Sequence, residues 1–600
     1  MRPRVPAAVP EGLLYALTFF GPLAFGGVEP WSRAALELSA FLMALACFLR
    51  GRPAVGAAGS AGWLFPAAVA LLGAAQTLAP ICADAPRPAG PFTVCPHATG
   101  QAVLLWSAYA AVLYSVPRII VTHRAARRYA WSLFLLGLLV AALGAAQAAT
   151  SQDLIYWVRR TMPDTPPFGP YYNRDHAANL LLMSLAIGSG ILLSRSRRWA
   201  AALPGELRRE CLLAVGLLAL FCAIALSHSR AALLAMPLAG CALALAGADF
   251  APGARRRRAL IAAALSTLAL VVFFAFAHVA SGSAVGAPMD RSVLGRLLIY
   301  SACWPRWLDS PWFGTGLGSF AALNGAYQDQ ALRGFVSHAH SDWLEFALET
   351  GASGAALALA AAATAAAAGW RVWRRAKSRE MRALIGGALA AAAAFAAHCL
   401  FEFNFQIPAN AVIFFGLIGF LLSAPAWADK QDKVPPCDPP DPAHGAAAVA
   451  ACLLLAWLAA APAAAAWYAG GSGTPARRIG QLAGAMRLDD DPVFMRGLAR
   501  AAYDLAGEGP RSDVLMLRTA LAYALAAAAD RPFDAQAVAQ AASCLWRLGR
   551  SDDAEDLLEA GRRVSFEPYD AGQPLSPDPD QKHVETLRRL NLIPDGWPRR

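Results

Sequence analysis

Two histidines and three carboxylates crowd the mouth of one apolar segment: Ser337-His338-Ala339-His340-Ser341-Asp342-Trp343-Leu344-Glu345, running on to Glu349-Thr350-Gly351-Ala352-Ser353-Gly354. Ionisable residues at the entrance to a membrane span are costly to place there, so a functional role is the default reading. Histidine as a residue type titrates near neutral pH and suits a general base for an attacking hydroxyl. A helix starting near His340 turns by about 100° per residue and puts Leu344, Ala347, Gly351 and Gly354 below that histidine. The two glycines on that face would let a neighbouring helix approach closely. His338, Asp342, Glu345 and Glu349 fall on a different stripe, roughly opposite.

Polar residues gather in four other segments. Phe168-Gly169-Pro170-Tyr171-Tyr172-Asn173-Arg174-Asp175-His176 opens one apolar run, and Ser227-His228-Ser229-Arg230 separates two others. Gly295-Arg296-Leu297-Leu298-Ile299-Tyr300 lies in a long connection, upstream of the glycine-rich run 314–318, which reads as a turn. The last is His398-Cys399-Leu400-Phe401-Glu402-Phe403-Asn404-Phe405-Gln406-Ile407-Pro408-Ala409-Asn410. Plainer readings stand beside the chemical ones. His340 can cap a helix, Arg230 can snorkel from its hairpin, and Arg296 can be a solvated loop charge. Asn173, Arg174 and His176 can cap the following helix, Asp342 and Glu349 can be structural partners, and Glu402 and Asn404 can hold an outward turn.

The elements that must position these groups are apolar spans. The chain is 57% hydrophobic and 16% charged, with a mean hydropathy of +0.41, which is far from a soluble composition. Thirteen runs have spanning length: 12–28, 33–49, 61–80, 101–120, 129–149, 176–194, 211–227, 231–248, 259–280, 342–369, 383–400, 408–428 and 446–468. The first reads as a retained anchor. The net charge of +11 is no nucleic-acid footprint, because the arginines cluster in every second connection. Arg50/Arg52, Arg124/Arg127/Arg128, Arg195/Arg197/Arg198, Arg255 to Arg258 and Arg371/Arg374/Arg375/Lys377 mark the cytoplasmic side. All the polar segments above then face outward, as does everything after the last span.

Three domains are expected: a membrane domain over 1–428 with a large outward loop at 281–341, a linker and last span over 429–469, and a helical module over 470–600. In that module, Ala537 to Leu548 and Asp552 to Val564 read as a helix pair of tetratricopeptide type joined by Gly549-Arg550-Ser551, and the proline- and aspartate-rich end reads as disordered. Cys82 and Cys95 share an outward loop where an oxidising compartment permits a bridge. No sequence pattern suggests zinc or a phosphate-binding loop.

The ordered motifs resemble the O-antigen ligase superfamily, which includes lipopolysaccharide O-antigen ligases, polysaccharide polymerases and protein O-oligosaccharyltransferases. The pattern H-[NSQ]-x9-G-x-x-G is met by His340-Ser341, Gly351 and Gly354, and the upstream Ser-x-Ser-Arg by Ser227, Ser229 and Arg230. Arg296 matches the loop arginine. The Asn-Arg-x-His-x-Ala element at 173–178 and the Phe-x-Phe-x-x-Gln-x-Pro-Ala-Asn element at 401–410 resemble a subgroup with tetratricopeptide-like tails. Many relatives carry Asn after the histidine, where this chain has Ser341. The resemblance extends from about residue 10 to 425.

That resemblance implies an all-α polytopic bundle of the C-type glycosyltransferase architecture in the bacterial inner membrane, with the site and the C-terminal domain facing the periplasm. The implied reaction transfers a glycan from undecaprenyl pyrophosphate to a hydroxyl of lipid A-core, glycan or protein, without cofactor, metal or nucleotide sugar. His340 would be the base, inverting the anomeric centre. Arg296 and Arg230 would stabilise the departing pyrophosphate, for which a guanidinium offers a bidentate fork. His338, Asn173, Arg174, His176, Asp342 and Glu349 would bind substrate. Membrane lipids and a protein recruited by the tail complete the expected partners, and nucleic acid is not among them. A glycan-lipid transporter or an assembly scaffold is the rival class; no internal repeat supports the first, and the second does not require the histidine–arginine set.

Overall fold

The structure, a computed structural model, describes residues 5–51, 61–77, 93, 95–151, 154–161, 166–195, 204–237, 240, 291–321, 324, 336–427, 442–469, 474–487, 489, 491–506, 514–530 and 535–564. It is an all-α polytopic membrane protein. Helices α1 (Ala8–Leu23), α2 (Pro30–Arg50), α3 (Leu64–Thr77), α4 (Pro96–Ile119) and α5 (His123–Thr150) come first. A two-residue antiparallel hairpin, β1 (Leu154–Ile155) with β2 (Arg159–Arg160), precedes α6 (Arg174–Arg195) and α7 (Pro204–Leu226). Helices α8 (Arg291–Asp309), α9 (Asp342–Arg375), α10 (Arg379–His398), α11 (Pro408–Trp427) and α12 (Pro442–Ala469) follow. The C-terminal set is α13 (Pro475–Met486), α14 (Pro492–Leu505), α15 (Val514–Asp530), α16 (Ala535–Arg547) and α17 (Ser551–Val564).

Nine of these helices, among the described residues, are long and apolar enough to cross a membrane: α2, α4 to α7 and α9 to α12. Those nine fall among the thirteen expected runs. The run at 12–28 forms a helix of 16 residues, about 24 Å at 1.5 Å per residue and short of a ~30 Å hydrocarbon core, and the described part of 61–80 holds helix Leu64–Thr77. Of 231–248, residues 231–237 and 240 are described and helical, and 259–280 lies outside the described residues. The connection 281–341 is not all loop, since α8 occupies 291–309. Cys82 lies outside the described residues, and so do the linker 429–441 and the expected disordered end, while Cys95 is buried.

Helix α11 is the axis of the bundle, with 78% of its apolar window buried, against 17% for α9 and for α12. Its aromatic face stacks on α4 and α10, with Tyr109 and Phe415 rings 5.1 Å apart and Phe395 and Phe414 rings 4.4 Å apart. Helices α6 and α10 run antiparallel through a close crossing. A Cβ on Gly190 would lie 3.0 Å from the Cα of Gly387 and 2.8 Å from the carbonyl of Ala383. Glycine at both positions lets the backbones meet, and that contact brings the start of α6 beside the end of α10.

Helix α9 carries Asp342 and Glu345 in its first turn and Arg374 and Arg375 in its last, matching the helix dipole. It is broken at Gly351, whose φ of 65° and ψ of −165° belong to glycine. A neighbouring segment takes over the interrupted backbone bonds. Ala352 and Ser353 donate N–H groups to the carbonyls of Pro311 and Trp312 at 2.8 and 3.1 Å. In return, Thr315 and Gly316 donate to Leu348 and Glu349 at 3.1 and 3.0 Å. The glycine face of α9 thus receives an extended segment and turn, not the helix that periodicity suggests.

This arrangement separates the two motif glycines. A Cβ at Gly351 would reach Phe313 N at 2.5 Å and collide with the Trp312 backbone, in a conformation that costs an L-residue about 1–3 kcal/mol by itself. Gly354 is helical with an ordinary φ, and the atoms nearest its Cβ would be those of the Thr350 side chain on the same helix, which can turn aside where a neighbouring backbone cannot. Gly351→Ala is expected to lower the melting temperature of the detergent-purified protein by several degrees more than Gly354→Ala. Equal shifts would show that the break at Gly351 is not needed.

Candidate active site

The start of α9 lies two residues beyond His340, so that histidine stands in the preceding loop. Its φ of 49° is uncommon for a residue with a side chain, and neighbours fix it. Tyr300 of α8 donates its hydroxyl to the His340 carbonyl at 3.0 Å, and the Asp342 N–H is shared between the carbonyls of Cys399 and Glu402 at 3.0 and 3.2 Å. Loop, α8 and the turn 399–407 are therefore tied together by backbone groups.

Glu402 occupies the centre and is 1% exposed. One carboxylate oxygen accepts from Arg296 Nη2, and the other faces His340 Nδ1 at 3.3 Å. With Nδ1–H pointed at the carboxylate, Nε2 of His340 carries the lone pair. The His340 and Arg296 side chains remain 34% and 26% exposed, enough to meet a substrate. The Phe403 ring sits among three histidines. It stacks on His338 at 4.1 Å and meets His340 and His176 edgewise at 5.2 and 4.6 Å.

A buried polar network lies behind this ring. Asn410 donates to the Asn404 side-chain carbonyl at 3.0 Å and to the His176 backbone carbonyl at 2.9 Å, and accepts from the Tyr171 hydroxyl at 2.8 Å. That fixes the Asn404 amide, whose NH2 donates to His398 Nδ1 at 2.9 Å while its oxygen faces His176 Nδ1 at 3.3 Å. Each of these five side chains is at most 3% exposed. Such a buried network is expensive to open, although His398 Nε2 finds no partner among the described residues.

The other expected residues fall into place unequally. His338 faces Glu345 at 3.0 Å. Burial disfavours its charged form, but Glu345, with Glu349 and Asp342 behind it, outweighs that and raises its pKa above the ordinary histidine value. Asp342 accepts the Phe405 N–H and Glu349 the Phe320 N–H, both at 3.0 Å. These two carboxylates hold backbone and are not a free acidic stripe. Asn173 caps α6 through the Asp175 N–H at 2.9 Å, and Ser229 bonds to the Asp175 carboxylate. The hairpin carrying Arg230 thus joins the start of α6, where Arg174 is half-buried and Arg230 exposed. Arg296 and His340 share one carboxylate; Arg230 stands on the neighbouring element.

Sequence reasoning underrated Glu402, Asn404 and Asn410, and did not single out Tyr300, Phe403 or His398. The available signal was three polar side chains within one short, otherwise apolar connection between spans. Among the described residues, the side chains close enough to share a cation are His97, Asp489 and Asp491, outside this cluster.

A cavity of about 970 Å³ opens beside the site. Asp342, Glu349 and Gly318 line one end, Phe346 and Phe405 the wall, and Trp370 and Arg371 the other end. From Asp342 to Arg371 helix α9 covers roughly 44 Å, so the cavity follows the depth of a bilayer. It exists because the alanine-rich middle of α9 stands away from α10 and α11 and is largely exposed.

A family model described as O-antigen ligase matches residues 215–359. That stretch holds the Ser227–Arg230 hairpin, Arg296 and the whole His338–Gly354 segment, while the partner carboxylate Glu402 lies beyond it. No curated protein matches the chain. That match over residues 215–359 supports the resemblance to the O-antigen ligase superfamily.

Proposed function

We propose that this protein transfers a glycan from undecaprenyl pyrophosphate to a hydroxyl at the periplasmic face of the bacterial inner membrane. The observation that carries the reading is the buried Glu402 bridging Arg296 and His340. The acceptor O–H loses its proton to His340 Nε2 as its oxygen bonds the anomeric carbon. The bond from that carbon to the pyrophosphate oxygen breaks, and the lipid pyrophosphate leaves with the electron pair. This single displacement inverts the centre. Glu402 orients the imidazole and stabilises its protonated form, as carboxylate partners of catalytic histidines do. Arg296 meets the developing phosphate charge, with Arg230 and Arg174 on the neighbouring elements as further cations. His338, more basic than an ordinary histidine, suits donation to substrate oxygens better than proton abstraction. Asn173, His176, Asp342 and Glu349 shape the substrate site through the segments they hold.

The cavity along α9 suits part of a long isoprenoid chain whose pyrophosphate lies outside it, beside Arg296. The acceptor is a lipid A-core hydroxyl in this reading. Loss of capped lipid A in a deletion strain supports it, whereas shortened polymers or lost glycoprotein point to a polymerase or a protein glycosyltransferase of the same superfamily. The tail would dock a partner as a tetratricopeptide-like module.

His340→Ala is expected to lower single-turnover transfer by about 10²–10⁴ and leave donor binding intact. Glu402→Gln should cost about 10–100-fold, and Arg296→Ala about 10²–10³ with weakened donor binding. Arg296→Lys should recover only part of that loss, and His338→Ala should be milder than His340→Ala. Near-normal transfer by folded, inserted His340→Ala would remove it as the base.

Narrowing the cavity with Ala365→Trp should raise the KM for a full-length lipid donor more than for a short-chain analogue. An equal effect on both would place the lipid elsewhere.

For orientation, Ser301→Cys and Asp552→Cys in a cysteine-free background should react with an impermeant thiol reagent in intact spheroplasts, and Arg371→Cys only after lysis. All three positions are exposed. The reverse pattern would invert the topology.

A further inference from the structure

Helix α4 begins at Pro96, and its first turn presents His97 to the C-terminal helices. His97 Nδ1 lies 3.4 Å from an oxygen of Asp489, and Nε2 lies 3.9 Å from Oδ2 of Asp491. One ligand atom from each of the three comes within 4.8 Å of the others. The His97 and Asp489 side chains are only 10% and 9% exposed. Asp491 is held in orientation, because its Oδ1 accepts the Val493 N–H at 2.9 Å as the cap of α14, turning Oδ2 toward the histidine. Asp489 is fixed by its own N–H, which donates to the Ala485 carbonyl at 3.0 Å.

Two carboxylates gathered at a half-closed site repel one another, and a cation between them offsets that repulsion. Nitrogen and oxygen ligands at ~2.0–2.2 Å from a tetrahedral zinc ion stand roughly 3.3 Å apart, close to the 3.4 Å between His97 Nδ1 and Asp489; Asp491, which faces the other ring nitrogen at 3.9 Å, reaches the same ion by a side-chain turn. We propose that His97, Asp489 and Asp491 bind one divalent transition cation of the zinc class. One imidazole nitrogen with two carboxylates selects such an ion over magnesium or calcium, which prefer all-oxygen shells. The fourth position is left to water.

The ion staples the junction of α13 and α14 to the start of α4, across 392 residues of chain. That turn of α4 also holds the frame of the candidate active site. Thr99 donates to the Leu317 carbonyl at 2.8 Å, and the segment around Leu317 docks on α9 at the Gly351 break. Cation occupancy therefore fixes where the tail stands relative to the outward end of the bundle. The site shares no residue with the His340–Glu402–Arg296 set, and its test does not depend on transfer activity.

The experiment uses the full-length protein in detergent, stripped with chelator and titrated with zinc ion. Calorimetry and metal quantification after desalting read the binding, and limited proteolysis reads the tail. The expected result is one ion per chain, with the tail protected only when the ion is bound. His97→Gln and Asp489→Asn, each checked for folding by gel filtration, should weaken binding on the order of tenfold or more and leave the tail cleavable with zinc present. No saturable binding, or binding unchanged in both variants, would overturn the proposal. Tail protection that needs no metal and follows histidine protonation alone would also overturn it, since the three residues would then be an imidazolium–carboxylate clasp.

Discussion

A carboxylate that is 1% exposed at the end of a membrane bundle is tolerated only when its charge is matched and its oxygens are bonded. Glu402 meets that condition through Arg296 on one oxygen and His340 on the other. Three separate pieces of chain depend on this pairing: helix α8, the loop before α9, and the connection between α10 and α11. Removing any partner leaves a buried charge, so the constraint that stabilises the site also orients the imidazole. The same geometry leaves the His340 and Arg296 side chains partly exposed.

Backbone accounting explains the surroundings. A helix broken inside or beside a membrane must find partners for its freed N–H and C=O groups, because lipid offers none. At Gly351 the segment 311–316 supplies them, and the glycine is required by its left-handed φ as well as by the approach of the Trp312 backbone. Glu349 and Asp342 work to the same end, each accepting a backbone N–H from a neighbouring segment. Acidic residues at the mouth of α9 thus serve the frame, and the site's central carboxylate comes from the next connection.

Rigidity at one end and looseness along another helix fit together. The buried Tyr171–Asn410–Asn404 network with His176 and His398 locks the starts of α6 and α11 to the end of α10, and the Gly190–Gly387 crossing holds the same helices deeper in the bundle. The middle of α9, made of alanine, has little side chain with which to pack and leaves the long cavity beside it. A firm polar end beside an apolar cleft suits a substrate with a charged head and a lipid chain.

Much of this was legible in one dimension. Hydropathy is a sum of local transfer free energies, so composition alone determined the all-helical membrane class and most of the spans. The spacing of His340, Gly351 and Gly354, with Ser-x-Ser-Arg and Arg296 upstream, carried the resemblance to O-antigen ligases and marked the residues to inspect. Helix α9 in fact begins beyond His340, and Gly351 faces a turn, because loop conformation and a positive φ leave no periodic trace. Glu402 is 106 residues from Arg296 and 62 from His340, and His97 is 392 from Asp489. Only the tertiary structure decided those partnerships, since they depend on how helix ends align across the bundle, a long-range packing outcome that no local pattern encodes.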